Sequence, residues 1–253
     1  CLMKIVSWNV NSVRARIDNI LDYIEQSKPD IILLQEIKTQ DENFPYEQFK
    51  KKGFQSYVFG QKSYNGVAIV SKVDIKNIDK NFIKDDFKQS RIITGKIKLK
   101  KKELELINIY VPNGNPTEIT EKYEFKLQWL DELSKMVELY ISNYQDIIVA
   151  GDFNVLEHKN DVKDFENWNL DALGKIETRK LFRKILSKGM CNVVRIFNKP
   201  GENYSYWDYQ KACWERNYGL LIDHFLVSPL VLQNTSNISF KKEFRDLEKP
   251  SDH

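Results

Sequence analysis

The stretch Asp146–Asn154, which reads Asp-Ile-Ile-Val-Ala-Gly-Asp-Phe-Asn, decides the fold. Its apolar half is short and is bounded by polar and turn residues, a pattern typical of a buried β-strand. Gly151 permits a tight exit from that strand, so that Asp152 and Asn154 can both point into one cleft. Asp and Asn also favour simple turns at strand ends, so a purely structural role is the alternative for this pair.

The same kind of strand ending recurs along the chain. Other apolar runs lead into Asn9, Glu36, Asn113 and Asp223, and the sequence ends on Ser251-Asp252-His253. Carboxylate and amide oxygens gathered at strand ends are the hard ligands that Mg²⁺ requires. The recurrence therefore predicts a metal-assisted site for phosphoryl chemistry.

Each of these polar residues also has a simpler interpretation. Glu36 fits a magnesium ligand, because a partly buried carboxylate needs a cation or good hydrogen bonds, but it also fits an acid at a helix entry. Asp223 and His253 fit an acid–imidazole pair, in which the carboxylate fixes the tautomer of the ring, whereas a terminal residue is usually frayed. His224 follows Asp223 along a strand and is expected to face the other way.

The composition restricts the class of protein. The chain has 253 residues, of which 42% are hydrophobic and 30% charged, and a net charge of +3, as in an ordinary soluble domain. No apolar run reaches the roughly 18 residues of a membrane span, and the start lacks a signal-peptide layout. No linker or repeat divides the chain, so 1–253 is predicted to be one domain. The three cysteines lack paired spacing, which favours free thiols in a reducing, cytoplasmic setting.

Periodicity predicts strands interspersed with helices, which indicates mixed sheets flanked by helices. The predicted helices are Ser12–Ser27 with Ser12 as cap, Glu118–Ser142 and Glu177–Lys188. The predicted strands are Lys4–Asn9, Asp30–Glu36, Phe54–Gly60, Gly66–Ser71, Arg91–Lys98, Glu103–Val111, Asp146–Asp152, Tyr204–Trp207, Leu220–Ser228 and Ser236–Lys241. The basic run Lys96–Lys102 is predicted to be a solvated hairpin turn, not a DNA-binding patch.

An aromatic block, Tyr204–Tyr209, has two possible uses. Alternate aromatic residues in a strand usually pack in a core, and stacking on an exposed nucleotide is the functional alternative. Trp214 is expected to pack.

Taken together, several blocks resemble the exonuclease III family of apurinic/apyrimidinic (AP) endonucleases, within the endonuclease/exonuclease/phosphatase superfamily. The order and spacing match over essentially the whole chain. The blocks are Ser7-Trp8-Asn9-Val10-Asn11-Ser12-Val13-Arg14-Ala15-Arg16, Leu34-Gln35-Glu36-Ile37-Lys38, Tyr110-Val111-Pro112-Asn113-Gly114, Gly151-Asp152-Phe153-Asn154, Tyr206-Trp207-Asp208-Tyr209, Ile222-Asp223-His224 and Ser251-Asp252-His253.

The resemblance implies an α/β (α+β) fold, a four-layer sandwich of two mixed β-sheets packed face to face with helices outside. It implies Mg²⁺-dependent hydrolysis, with Mn²⁺ as a substitute, of the phosphodiester 5′ to abasic sites in double-stranded DNA. It also implies 3′→5′ exonuclease and 3′-phosphatase activity on 3′-blocked ends. A monomer is expected, with no membrane partner, in the cytoplasm and associated with the nucleoid through DNA.

Site residues carry over from the resemblance by position. The metal group comprises Asn9, Glu36, Asp152, Asn154, Asp252 and His253, with Glu36 as principal ligand. The catalytic group comprises Asp152, which activates or positions the attacking water, Asn154 and Tyr110 at the phosphate, and Asp223, which orients His253. The DNA-binding group comprises Asn11 and Asn113, which align with positions near the metal and the DNA backbone, together with Tyr206, Trp207, Leu220 and Ile222. Of these, Tyr206, Leu220 and Ile222 align with the pocket for the extruded sugar.

The sequence departs from the family pattern in two places, and two rival functions stay open. Relatives often carry a basic residue where this chain has Leu221, and they usually continue past Ser-Asp-His, so either the chain is truncated or His253 is held less firmly. One rival is a phosphoinositide phosphatase or sphingomyelinase of the same superfamily, which would lack the Asn9–Arg14 block. The other is a DNA-binding or scaffolding protein that has lost catalysis.

Overall fold

The computed structural model describes residues 2–83, 87–100 and 102–253. The chain divides into two compact units. The first unit comprises the described residues up to Tyr110 together with Lys241–His253, and the second comprises Val111–Phe240.

The first unit contains two sheets. Its elements are β1 (Ile5–Asn9), α1 (Ile17–Ser27), β2 (Ile31–Gln35), α2 (Tyr46–Lys51), β3 (Gln55–Phe59), β4 (Val67–Ser71), β5 (Lys76–Asp79), β6 (Ile92–Leu99) and β7 (Lys102–Tyr110). The first sheet has the order β1-β2-β4-β3, with β1 and β2 parallel and the other pairs antiparallel, so it is mixed. In the second, β5, β6 and β7 pair antiparallel.

The first sheet is covered on both faces, which explains why every residue of β2 is buried. On one face, α1 presents Ile20 and Ile24, spaced as one side of a helix, to a core that also includes Phe49 of α2. On the other face, β2 and β4 contact β7, and β3 and β4 contact β6.

A pair of buried amides joins the two sheets of the first unit. Asn108 on β7 donates through Nδ2 to the carbonyl oxygens of Leu34 and Ala68, both at 2.9 Å, and accepts from Gln35 Nε2 at 2.8 Å. Buried polar groups must be hydrogen-bonded, so these contacts fix the alignment of β7 against β2, the strand that leads into Glu36.

The second unit consists of three strands with helices. Its elements are α3 (Thr120–Ser142), β8 (Asp146–Asp152), α4 (Ile176–Ser187), β9 (Cys191–Asn192), α5 (Val193–Phe197), β10 (Asp223–Val227) and α6 (Pro229–Gln233). Strand β10 pairs antiparallel with β8 on one side and β9 on the other. Helices α3 and α6 contact β8, α5 contacts β10, and α4 packs on α3.

Most of the predicted elements are confirmed, and β8 has the predicted bounds. The basic run also forms the predicted hairpin, because β6 and β7 pair as far as Leu99 and Lys102, with Lys101 outside the described residues. Cys191 and Cys213 are free thiols, and Cys1 also lies outside the described residues. Within the described ranges, no helix has the length and apolar content needed to cross a membrane.

Several predicted boundaries are wrong. Helix α1 begins at Ile17, and Ser12 does not cap it, because the Ser12 backbone has a φ of +85° and donates to the Glu36 carbonyl. The strand predicted at Ser236–Lys241 is irregular chain, and Tyr204–Trp207 is reduced to an isolated bridge between Tyr206 and Leu220. The strand predicted at Leu220–Ser228 is shorter in the structure, where it forms β10. Alternating side chains do not make a strand without a partner of sufficient length.

Candidate active site

In the first unit, the parallel pairing of β1 and β2 brings Asn9 beside the residue that follows β2. Asn9 pairs with Gln35, and the next residue, Glu36, turns out of the strand with a φ of +47°. Asn9 is 0% exposed and donates through Nδ2 to Glu36 Oε1 at 2.9 Å. Lys38 Nζ lies 3.4 Å from Glu36 Oε2.

The chain after β1 closes this arrangement. Asn11 donates its backbone N–H to Asn9 Oδ1 at 3.1 Å and accepts from Lys38 Nζ through its own Oδ1 at 2.6 Å. Asn11 has a φ of +45°, a conformation that is uncommon outside glycine and is often found at functional sites. We call Asn9, Asn11, Glu36 and Lys38 the Glu36 cluster.

Electrostatics keep Glu36 anionic. Burial of the carboxylate raises its pKa, but the hydrogen bond from Asn9, the charges of Lys38 and His253, and the hydroxyl of Tyr110 together hold the pKa of Glu36 below its usual value of 4.5. A partly buried carboxylate that stays ionised is suited to bind a cation.

Tyr110 ends β7 and is held by an arginine that the sequence did not single out. The Arg91 guanidinium lies 4.6 Å from the centre of the Tyr110 ring, and its Nη1 donates to the Tyr110 carbonyl at 3.1 Å. The Tyr110 backbone N–H donates in turn to the Arg91 carbonyl at 2.8 Å. Arg91 is buried, so this contact fixes the phenol relative to β6.

The last residues of the chain are anchored to β1. Ser251 Oγ donates to the Asn9 carbonyl at 2.7 Å, and Trp8 Nε1 donates to the main-chain oxygen of His253 at 3.1 Å. Asp252 and His253 are both half-buried. In the structure, residues 251–253 are therefore held by hydrogen bonds and are not frayed.

In the second unit, two carboxylates stand opposite each other on adjacent strands. Asp152 ends β8 and Asp223 begins β10, and the two are paired in register. A carboxylate oxygen of each lies within 4.8 Å of the other. We call Asp152 and Asp223 the carboxylate pair.

Asp152 and Asn154 form the turn that strand ends favour, and the turn also sets their direction. Asp152 is 1% exposed, and its Oδ1 accepts from the Asn154 backbone N–H at 3.0 Å. Asn154 has a φ of +48° and donates through Nδ2 to the Val111 carbonyl at 2.8 Å. Its Oδ1 lies 3.5 Å from Nδ2 of Asn113, which is exposed.

Asp223 is held by a serine. Ser205 Oγ donates to Asp223 Oδ2 at 2.6 Å and accepts from the backbone N–H groups of Ile222 and Asp223 at 3.2 and 3.1 Å. One hydroxyl therefore fixes both the main chain and the carboxylate at the start of β10.

His224 is a core residue, as the strand alternation predicts. It is buried against the rings of Phe153 and Phe182, and its Nε2 donates to the Val155 carbonyl at 3.2 Å. Burial lowers the pKa of its imidazole below 6.5, so the ring stays neutral.

The aromatic block mainly packs. Tyr206 is half-buried against a core that contains Leu220 and Ile222. Trp207 is 3% exposed, its ring lies 4.9 Å from that of Trp214, and its Nε1 donates to Asn217 Oδ1 at 3.1 Å. Trp214 packs as expected, and the DNA-binding roles of the block stay predictions.

The predicted site residues thus fall into two sets. The first unit brings together Asn9, Asn11, Glu36, Tyr110 and His253, and the second brings together Asn113, Asp152, Asn154 and Asp223. That both sets serve one reaction stays a prediction. Sequence reasoning missed Arg91, Ser205 and Lys126, each of which donates a hydrogen bond to one or more of these residues. Only Lys126 carried a signal, since it lies on the apolar side of the predicted helix.

Comparisons with known proteins identify the family and the fold. The model of the endonuclease/exonuclease/phosphatase family matches residues 6–253. The exodeoxyribonuclease III of Haemophilus influenzae is 31% identical over 261 residues, which cover 99% of this chain and 97% of that protein. An AP endonuclease from Archaeoglobus fulgidus has a TM-score of 0.93 at 30% identity, over 100% of this chain and 96% of its own. The 3′ phosphatase NExo from Neisseria, solved with a product DNA hairpin, has a TM-score of 0.90 at 31% identity, with coverage of 100% and 96%.

The structural matches confirm the predicted α/β class of two mixed sheets with helices. The sequence matches confirm the resemblance drawn from the short blocks. The chain therefore belongs to the endonuclease/exonuclease/phosphatase family, as a nuclease of the exonuclease III type.

Proposed function

We propose that this protein is a Mg²⁺-dependent DNA-repair nuclease that hydrolyses the phosphodiester 5′ to abasic sites in double-stranded DNA. We further propose that it removes 3′-terminal nucleotides and 3′-phosphates. The proposal is supported by relatives named as an AP endonuclease, a 3′-5′ exonuclease and a 3′ phosphatase. Residues 1–253 would act as one catalytic domain and as a monomer, on nucleoid DNA in the cytoplasm.

The observation that carries the proposal is the state of Glu36. Its carboxylate is largely buried, yet Asn9 and Lys38 hold its pKa low, so the chain keeps an anion in a poorly solvated place. Such an arrangement is costly unless a cation or substrate uses the charge. A partly buried anion beside an asparagine amide suits a hard divalent ion better than it suits a packing role.

The donor set fits that ion. The side chains of the candidate site offer three kinds of ligand atom. Carboxylate oxygens come from Glu36, Asp152, Asp223 and Asp252, amide oxygens come from Asn9 and Asn154, and an imidazole nitrogen comes from His253. Hard oxygen donors with at most one imidazole favour Mg²⁺, with Mn²⁺ as a substitute. When bound, Mg²⁺ would supply positive charge to offset the charge that builds on the phosphate oxygens.

The protein's own residues would do the rest of the chemistry. Asp152 would hold or deprotonate the attacking water, and the turn to Asn154, which fixes its Oδ1, would set the direction of the carboxylate. Asn154, Tyr110 and His253 would stabilise charge on the non-bridging oxygens, and Asp223, itself fixed by Ser205, would orient His253. Both sets of residues would thus act on one phosphodiester.

Recognition of damage would fall to the half-buried block around Tyr206. A pocket walled by Tyr206, Leu220 and Ile222 would accept a sugar without its base and exclude an intact nucleotide. Asn11 and Asn113 would contact the DNA backbone, and Trp207 would support the pocket.

The test is a cleavage assay with four substrates, each with Mg²⁺, with Mn²⁺ and with a chelator. An abasic duplex, an undamaged duplex, a 3′-phosphate duplex and a phosphoinositide would be compared. The proposal predicts chelator-sensitive cleavage 5′ to the abasic site. Cleavage that survives the chelator, or turnover of the phosphoinositide alone, would contradict it.

A further inference from the structure

Helix α3 carries a lysine in its apolar face. Lys126 is 0% exposed, flanked along the helix by buried Tyr123 and Leu130. Lysine is almost never fully buried unless its ammonium group is satisfied by partners. Its position therefore calls for a specific use.

The partners of Lys126 are main-chain oxygens of two site residues. Its Nζ donates to the Asn154 carbonyl at 2.6 Å and to the Asn113 carbonyl at 3.0 Å. One ammonium group thus ties together the turn after β8 and the loop that carries Asn113. Hydrogen bonds from a charged donor are roughly twice as strong as neutral ones.

The stem of Lys126 is as constrained as its head group. Gly114 has a φ of +85°, and a Cβ added there would lie 2.8 Å from Lys126 Cδ and 3.2 Å from Lys126 Cβ. Glycine is therefore needed at position 114 for its conformation and for the space that Lys126 occupies.

Asn154 is the residue that this lysine holds most tightly. Its backbone has a φ of +48°, its N–H donates to Asp152 Oδ1, and its Nδ2 donates to the Val111 carbonyl. Asparagine adopts the left-handed conformation more readily than most residues, and the hydrogen bonds around Asn154 select it here. Lys126 fixes the carbonyl side of this residue.

We propose that Lys126 is a positioning residue, which holds Asn154 and Asn113 in the geometry that the phosphate requires. The inference rests on the proposed function, since the amides matter only if they meet a phosphodiester. Lys126 acts through other residues and touches no substrate.

The experiment compares Lys126→Met, which keeps the stem and removes the charge, with Lys122→Met. Lys122 is exposed one turn earlier on α3, so this control makes the same change in net charge. On the DNA substrate that the wild type cleaves fastest, Lys126→Met is expected to lower kcat about 100-fold with KM within about threefold. Lys122→Met is expected to stay within about twofold in both.

A double-mutant cycle separates positioning from general support. In an Asn154→Ala background, Lys126→Met is expected to cost less than about tenfold in kcat, because the amide that it positions is already gone. A full 100-fold loss in that background overturns the proposal. So does a folded Lys126→Met with kcat within about threefold of the wild type, or a loss confined to KM.

Two further measurements separate a failure of this inference from a misfolded variant and from a failure of the proposed function. If Lys126→Met does not fold, Lys126→Gln takes its place under the same limits, and if neither folds the proposal is overturned. A crystal structure of the neutral variant needs no turnover: Asn154 is expected to leave its left-handed conformation and lose its bond to Val111. An unchanged Asn154 overturns the inference whether or not the wild type cleaves abasic DNA.

Discussion

Asn9→Ala gives a quantitative test of how the chain keeps Glu36 ionised. The variant removes the Nδ2 group that donates to Glu36 Oε1 at 2.9 Å, a charge-assisted bond that contributes about 1.5–3 kcal/mol. It also removes the acceptor of the Asn11 N–H, a neutral bond worth about 1 kcal/mol. We therefore expect the free energy of unfolding near neutral pH to fall by about 2.5–4 kcal/mol.

The pH dependence of this loss follows from the lowered pKa of Glu36. The stability that the ionised carboxylate contributes is present above its unfolded pKa of 4.5 and is lost as the pH falls through the lower folded value. The contribution through Asn11 does not titrate. In acid, the difference in the free energy of unfolding between wild type and variant should therefore narrow to the contribution of the neutral hydrogen bond from Asn11.

The assay is urea unfolding in the presence of a chelator, at neutral pH and at the lowest pH where both proteins fold. A cycle with Glu36→Ala is expected to give a coupling energy of about 1.5–3 kcal/mol near neutral pH. A coupling below about 0.5 kcal/mol, with a loss that does not change with pH, would refute the reasoning.

Three further outcomes follow from the supporting residues. Ser205→Ala removes the hydroxyl that donates to the Asp223 carboxylate and accepts from two backbone N–H groups, so single-turnover cleavage should slow about tenfold, while Ser205→Thr keeps the hydroxyl and most of the rate. Arg91→Ala removes the cation over the Tyr110 ring and should lower kcat more than it raises KM in steady-state kinetics; an effect on KM alone would argue against a role at the phosphate. Burial lowers the pKa of His224 in the folded state, so the imidazole takes up a proton on unfolding below about pH 6.5, and acid should destabilise the wild type more than His224→Gln, as measured by urea unfolding at pH 7 and at lower pH.

Strands were predictable because short apolar runs between turn residues have few alternatives. Strand β8 follows from the apolar run Ile147–Ala150 alone, and a polar residue marks each of its ends. Strand β5 was missed because Lys76–Asp79 is polar and pairs only with β6 at the edge of its sheet. The start of α1 was misplaced because the backbone N–H groups of Ser12 and Val13 donate to the carbonyls of Glu36 and Ile37, and such tertiary contacts override local helix preference.

The polar residues of the candidate site were visible in the sequence because each follows an apolar run. The residues that support them were not, because their role depends on contacts between distant segments. Arg91 acts on a residue of the next strand, and Ser205 acts on Asp223 across a loop. Lys126 could have been noticed, since a lysine between apolar residues at helical spacing is unusual, but its partners could not.

The central claim is that the Glu36 cluster and the carboxylate pair act on the same phosphodiester. The most direct measurement is single-turnover cleavage of an abasic duplex by Glu36→Ala, Asp152→Ala and the double variant, with the DNA affinity of each. If the two residues work as one unit, each single variant loses nearly all activity with little loss of affinity, and the double variant is no slower than the worse single. Losses that multiply in the double variant, or near-normal cleavage by either single one, would contradict the account.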